Sequence, residues 1–439
     1  MYAIYSVLLT LALVLSAPWW LWQMLRHGKY RAGWGERLGR VPGKLPNRSG
    51  ANTIWIHAVS VGEVLAVTQL VADLQAHLPE WRIVISTTTD TGQKLAQQRF
   101  GEANVFYAPL DLPWGVRAYV DALRPRMLVL AESEFWPNLL HSAHRAGTAV
   151  AVVNARVSDR SLPRYRVFRA LLTHVLENVQ VLLAQTDEDA RRLISIGASC
   201  ERVHVGGNLK FEVRPPARPQ IAARIGSLVQ RQSIGPVIVA GSTIEGEETM
   251  LVNAFRAVRE RYPQATLLLA PRHPERFDTV ADLLASSGLP FVRRSQWDGE
   301  SPIAGGVLLL DSIGELAALY EFAALAFVGG SLVPRGGHNV LEAAHFGAPI
   351  LVGPYTENFR DVVETFRRAD AIRITTPQSL ERDVLTLLEN YADRERLGRN
   401  ARELMSTQQG ATQRTVEALL QLLPRSSLPQ QEMAAERRW

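Results

Sequence analysis

Glu63 closes the run H-A-V-S-V-G-E, His57 to Glu63, and a carboxylate there has the chemistry of a general base. Ser60 reads as a helix N-cap and Gly62 permits close approach. Glu63 falls in the first helical turn, where the dipole favours the anion. The same residues match the capping box S-x-x-E, and local sequence alone favours that structural role. Two more carboxylates open E-S-E-F-W-P-N, Glu132 to Asn138, where they could shape a site, position a cation or cap a helix. Lys210, in G-G-N-L-K-F-E, offers a cation for charge developing in a transition state. By itself it reads equally as a solvated lysine beside a linker.

Phosphate and sugar chemistry gathers in the second half. Phe327 to Pro354 carries a glycine-rich turn at Gly329, Gly330 and Ser331 and another at Gly336 and Gly337. A helix is predicted from near His338–Asn339. Glycines before a helix N-terminus let backbone amides approach an anion. Glu342 in the first turn would accept hydrogen bonds from ribose hydroxyls, or the whole stretch serves packing alone. A-G-S-T adds Ser242 and Thr243, and P-R-H-P-E-R adds Pro271, Arg272 and His273, a cation and a ring for phosphate or a base edge. D-S-I-G-E-L contributes Ile313, Gly314 and Glu315. The loop Thr87–Gly92 contacts a sugar or caps a helix. The chain has no G-x-x-x-x-G-K-[ST], no H-E-x-x-H and no supported G-x-S-x-G, so no metal and no cofactor is expected. Cys200 is the one cysteine, which excludes an internal disulfide.

These residues stand at the ends of apolar, β-branched segments that alternate with amphipathic helical ones, the pattern of parallel sheets covered on both faces. Strands are predicted at 53–58, 83–87, 127–131, 149–153, 181–185 and 203–205, then at 237–240, 266–270, 306–310, 324–328 and 349–352. The fold class is α/β, two doubly wound Rossmann-like domains facing a cleft. The 439 residues divide into an anchor at 1–25, a first domain at 26–212, a linker at 213–236 that could be helical over 220–232, a second domain at 237–423 whose last helix, 412–423, could pack on either domain, and a polar tail at 424–439. Met1 to Leu25 contains no charge and ends in a tryptophan cluster, so it reads as an uncleaved single-pass membrane anchor. Arg26, Lys29, Arg31, Arg37, Arg40, Lys44 and Arg48 follow and place the rest in the cytoplasm. A cleaved signal peptide fits less well, since no positive charge precedes the apolar run. The net charge of +5 by itself suits an acidic ligand, anionic lipid or nucleic acid, and of these nucleic acid is not among the expected partners.

Taken in order, W-G-E-R-L-G (Trp34–Gly39), H-A-V-S-V-G-E, E-S-E-F-W-P-N, N-A-R-V-S (Asn154–Ser158), N-L-K-F, P-R-H-P-E-R-F and F-V-G-G-S-L-V-P-R-G-G-H-N-V-L-E resemble the 3-deoxy-D-manno-octulosonic acid (Kdo) transferases of lipopolysaccharide synthesis. The resemblance spans nearly the whole chain. It implies a GT-B glycosyltransferase fold with an acceptor domain followed by a donor domain. It also implies inverting transfer from CMP-Kdo to a lipid A precursor at the inner membrane, with release of CMP. By the same resemblance Glu63 is the base, Glu132 and Lys210 support the transition state, and CMP meets Pro271, Arg272, Ile313, Gly314, Glu315, Asn339, Val340, Leu341 and Glu342. Ile313 stands where the family has Met or Leu. Ser60, Gly62, Ser242, Thr243, His273, Gly330, Ser331 and Gly337 are further candidate contacts. Another twin-Rossmann sugar-nucleotide enzyme, or a tethered binder without catalysis, is the alternative.

Overall fold

The computed structural model describes residues 1–27, 33–46, 50–159, 161–212, 219–231, 234–299 and 301–424. Lys29, Arg31 and Arg48 of the basic flank, most of the expected linker's proline-rich start and the tail from residue 425 lie outside the described residues. The chain divides into two compact units, Met1–Glu212 with Gly410–Trp439, and Val213–Gln409.

The first unit is built on a seven-stranded parallel sheet of β1 (Thr53–His57), β2 (Arg82–Thr87), β3 (Val105–Tyr107), β4 (Met127–Ala131), β5 (Ala149–Ala155), β6 (Val181–Ala184) and β7 (Val203–Val205). Their order is β3-β2-β1-β4-β5-β6-β7. Every residue of β1 and β4 is buried, because helices cover both faces of the sheet. Alternate side chains feed two cores, one around Trp55, Leu128 and Val152 and the other around Ile56, Val129 and Val153. The chain reverses direction across the sheet between β1 and β4. That is the point where doubly wound sheets open a crevice at the strands' carboxyl ends.

The second unit repeats the plan with β8 (Val237–Thr243), β9 (Thr266–Pro271), β10 (Phe291–Arg293), β11 (Val307–Leu309), β12 (Leu325–Val328), β13 (Ile350–Val352) and β14 (Arg373–Ile374). Their order is β10-β11-β9-β8-β12-β13-β14, and the reversal falls between β8 and β12. The α/β class with two doubly wound units is therefore what forms. Three strands escape the sequence pattern: β3, β10 and β14 are two or three residues long and lie at sheet edges. Segments that short carry too few positions to show a period.

Two points that the sequence left open are decided by the fold. The final helix, Ala411–Gln421, belongs to the first unit and not to the second domain. Its Ala411, Val416 and Leu419 enter the same core as Val64 and Leu70 of the helix Val61–His77. An amphipathic terminal helix declares which face is apolar but not what it covers. Part of the expected linker, Gln220–Gln230, is a helix of the second unit, with Ile221 and Ile225 buried.

The N-terminal helix Tyr2–His27 has an 18-residue window, Tyr2–Trp19, of mean hydropathy 1.7, none of it buried. Its first turns are nevertheless seated on the first unit. Tyr2 stacks on His141 at 4.0 Å between ring centroids, and Asn178 Nδ2 donates to the Tyr2 hydroxyl at 2.8 Å. Asn138 Nδ2 donates to Ser6 Oγ at 3.0 Å.

Candidate functional site

Glu63 stands in the helix that follows β1 and Glu132 directly follows β4, so the first sheet's reversal point brings the two candidate carboxylates to one place. Glu63 is almost fully buried in the first turn of the helix Val61–His77. Val59 N donates to one carboxylate oxygen at 2.7 Å and Ser60 Oγ to the other at 2.9 Å. Ser60 therefore spends its hydroxyl on Glu63 and does not cap the helix amides. Neither bond of the capping box forms, since Glu63 accepts from Val59 N and not from Ser60 N. Burial, then the charges of Glu132 and Glu134, push the Glu63 carboxyl up to about 8. A base of that strength is well matched to a hydroxyl proton at neutral to mildly alkaline pH. With Glu63 acting as a general base, kcat/KM would rise about tenfold per pH unit below about 8 and level off above it. A flat profile from pH 6 to 9 in initial-rate measurements would remove Glu63 from the proton-transfer step.

Glu132 meets Lys210 in an ion pair of 2.6 Å. Lys210 Nζ is also 3.9 Å from where a side chain on Gly62 would begin, so the cation borders the Gly62–Glu63 turn. A Cβ at position 62 would meet it only in ordinary van der Waals contact. The backbone of Glu132 is left-handed, with φ of 58°. This conformation costs a non-glycine residue of order 1 kcal/mol, is tolerated where the surroundings impose it, and turns the side chain off the strand line. Glu132 N donates to Val153 O at 2.8 Å, which fixes the turn to β5.

Asn154 secures the opposite side. Its Oδ1 accepts from Leu209 N at 3.0 Å, while Asn208 Oδ1 accepts from Lys210 N at 3.0 Å. Leu209 and Phe211 are buried on either side of Lys210, so the lysine is presented from a pinned turn. Buried His57 holds Trp136 edge-on at 4.7 Å, and Trp136 Nε1 donates to Glu134 at 2.7 Å. Burial drives His57 down to about 4, so this ring is a neutral wedge and not an acid–base group. Asn154 and Trp136 were visible only as members of motifs. Their work depends on contacts across 55 and 79 residues of chain for the first and for the His57 pair respectively, which spacing does not reveal.

In the second unit the two glycine turns separate in role. The amides of Gly330, Ser331 and Leu332 point at the buried carboxylate of Glu247, at 2.7, 2.9 and 2.8 Å, and Ile244 N adds a fourth bond at 3.1 Å. The expected anion cradle at Gly329–Ser331 is thus filled from within, by a glutamate of the helix Glu247–Arg261 that no sequence motif singled out. Ser331 Oγ also donates inward, to Val328 O at 2.6 Å. Gly336 and Gly337 are both left-handed, with φ of 87° and 74°, and lead into His338 and Asn339.

The helix begins at Leu341, later than expected, and runs only to His345. Asn339 Oδ1 accepts from Leu341 N at 3.1 Å. Val340 and Leu341 are buried in the core, so their side chains are packing groups. Glu342 stands above its ordinary value through burial, opposed by Arg272 and by a hydrogen bond from Asn339. His338 is lowered to about 4 by burial and then by Arg272 and His273. Arg272, His273, His338, Asn339 and Glu342 therefore form one polar group. Arg272 and His273, after β9, are exposed, and so are Ile313, 80% exposed, and left-handed Gly314. Glu315 is already engaged by Arg294 at 3.1 and 3.0 Å and by the Ser312 hydroxyl. Ser242 is left-handed at the β8 end, and Thr243 beside it is buried.

Twin doubly wound parallel sheets, each with polar groups at its strand ends, give the chain a fold of GT-B type. The solved MurG of Acinetobacter baumannii shares the fold, with a TM-score of 0.51 at 14% identity over 84% of this chain and 99% of that one. The family profile described as 3-deoxy-D-manno-octulosonic-acid transferase (kdotransferase) matches residues 32–213. The 3-deoxy-D-manno-octulosonic acid transferase of Haemophilus influenzae is 36% identical over 92% of this chain and 94% of its own length. That of Bordetella pertussis is 37% identical over 93% and 97%. The chain belongs to the Kdo transferase family.

Proposed function

We propose that the enzyme transfers Kdo from CMP-Kdo to a lipid A precursor, lipid IVA, with inversion and release of CMP. The observation that carries this reading is the buried Glu63 carboxylate, raised to about 8, beside the Glu132–Lys210 pair at the first sheet's reversal point. Glu63 takes the proton of the acceptor hydroxyl. The freed oxygen attacks the anomeric carbon of Kdo as its bond to the CMP phosphate breaks, and the electron pair leaves with CMP. Lys210, held by Glu132, supplies positive charge where negative charge develops.

The second unit receives the nucleotide. Arg272 and His273 face its single phosphate, Asn339 and Glu342 its ribose, and exposed Ile313 with Gly314 offers a flat surface to the base. Pro271 positions the arginine. A monophosphate is matched by one or two cationic side chains, so EDTA should leave the rate unchanged; a loss of tenfold or more, restored by Mg²⁺, would bring a metal into the reaction. The N-terminal helix attaches the enzyme to the inner membrane with both units cytoplasmic, which brings enzyme and lipid acceptor to one surface. The test is CMP release by purified protein given CMP-Kdo and lipid IVA. Absence of release with the intact protein would refute the assignment.

A further inference from the structure

The motif W-G-E-R-L-G, Trp34 to Gly39, has no part in the chemistry above, yet it holds a buried cation. Arg37 is 9% exposed at the end of the short helix Trp34–Arg37. Its guanidinium lies over the Tyr107 ring at 4.4 Å, and Nη2 donates to Thr88 O at 2.7 Å. The same nitrogen stands 3.8 Å from Asp90, which accepts from the Tyr107 hydroxyl at 3.0 Å. The motif is itself anchored. Tyr107 N donates to Glu36 at 2.7 Å, the Tyr119 hydroxyl to Glu36 O at 3.2 Å, and Leu110 N to Arg37 O at 2.7 Å.

The loop that Arg37 holds grips the turn bearing Glu63. Val59 O receives Thr88 N at 3.1 Å, Thr89 N at 3.2 Å and the Thr88 hydroxyl at 3.1 Å. Three donors on one carbonyl fix the peptide between Val59 and Ser60. Thr89 also accepts from Gly92 N at 3.1 Å and so caps the following helix, which keeps the loop from swinging away. On its other side Val59 gives its amide to the Glu63 carboxylate at 2.7 Å, and Ser60 Oγ donates to the second oxygen at 2.9 Å. A continuous series of bonds thus runs from Arg37 through Thr88 and Val59 to Glu63, joining three separate segments of the first unit.

We infer that Arg37 is a positioning residue for the transfer: through Thr88 it sets the Val59–Ser60 turn and with it the place of the Glu63 carboxylate. This rests on Glu63 being the base proposed above. Arginine suits the position because its planar guanidinium stacks on a ring while reaching a carbonyl and a carboxylate at its edge. A lysine ammonium keeps the charge but cannot do both. The Val59 amide also favours the Glu63 anion, against the burial and the charges of Glu132 and Glu134 that raise the group. Loosening that amide therefore raises the carboxyl further.

The test is Arg37→Lys and Thr88→Val, singly and together, in the full-length enzyme, with initial rates on CMP-Kdo and lipid IVA from pH 6 to 9.5. Arg37→Lys changes no charge, and it leaves Glu132, Glu134 and Lys210, the other charged groups about Glu63, as they are. Its kcat should fall about tenfold to a hundredfold while the KM for CMP-Kdo changes less than about twofold, as for a base moved from its place. The midpoint of its kcat/KM profile should move up by about half a pH unit. Thr88→Val removes one hydrogen bond to Val59 O and should show both changes in smaller measure, about threefold in kcat. The double variant should lose less than the product of the two single losses, since both break one series. A packing role alone predicts a lower thermal midpoint with native kcat and a native pH profile. That result in Thr88→Val overturns the inference even where Arg37→Lys does not fold, and so do losses that multiply in full. Full turnover in a Glu63→Gln control would instead remove the base on which the inference rests, and the control tells the two failures apart.

Discussion

Replacing Glu63 with Gln should lower kcat by roughly 10²- to 10⁴-fold, the range lost when a positioned general base is removed. The same change should leave the folded protein at least as stable at pH 8. The sign follows from the raised carboxyl, about 8 when folded against an ordinary value near 4.5. Folding favours the protonated form, so the group's contribution to stability is fully present below about 4.5 and is lost as pH rises through about 8. Gln carries no such pH-dependent loss. Its thermal midpoint relative to the native enzyme should therefore climb between pH 5 and pH 8.

A helix-capping role predicts the reverse, a loss of about 1 kcal/mol with turnover intact. Rate and melting curves on one preparation separate the two. Native turnover with a lowered midpoint would return Glu63 to being a cap.

Replacing Glu247 should damage the second unit instead. Its carboxylate receives four backbone amides at full burial, and loss of a buried partner leaves each orphaned donor a cost of about 1–3 kcal/mol. Glu247→Ala should therefore lose at least about 4 kcal/mol and fail to fold at 37 °C in ordinary expression. Glu247→Gln keeps the shape but sets an NH₂ against amides that also donate. Its midpoint should fall by several degrees, and its KM for CMP-Kdo should rise about tenfold while kcat changes less than twofold.

The reason for that split is positional. Glu247 fixes the turn Gly330–Leu332, and Gly337 N donates to Gly330 O at 2.7 Å, so the turn bearing His338 and Asn339 inherits its place from Glu247. Unchanged stability together with unchanged donor KM in Glu247→Gln would refute this.

The comparison of these two glutamates shows where sequence reading reaches its limit. Glu63 and Glu247 both open helices after the first strand of a doubly wound sheet. Both have the composition of an N-terminal acid. One faces Glu132 and Lys210, and the other plugs the loop after β12. Their local hydrogen bonds, from Val59 and Ser60 in one case and Ile244 in the other, do not tell these surroundings apart, because Lys210 and the loop after β12 are distant in sequence.

The glycine-rich stretch at 329–337 is the same case. Glycine composition announces free backbone amides, but only the fold shows that Glu247 consumes the first set. The helix start at Leu341 was misplaced because His338 and Asn339 make turn contacts of their own, and Asn339 caps from outside the helix.

By itself the sequence determined the alternation of apolar strands and amphipathic helices, and with it two doubly wound sheets whose strand ends carry acids, cations and glycines. Those are properties of hydrophobic period and local turn chemistry, which act over ten residues or fewer. The tertiary structure decided which strand ends meet, since strand order places β4 beside β1 and β12 beside β8. It thereby decided that Glu63 is desolvated next to like charge, that Lys210 is paired with Glu132, and that the last helix returns to the first unit. Burial and charge proximity are set by contacts between distant segments, and a local pattern holds no record of them.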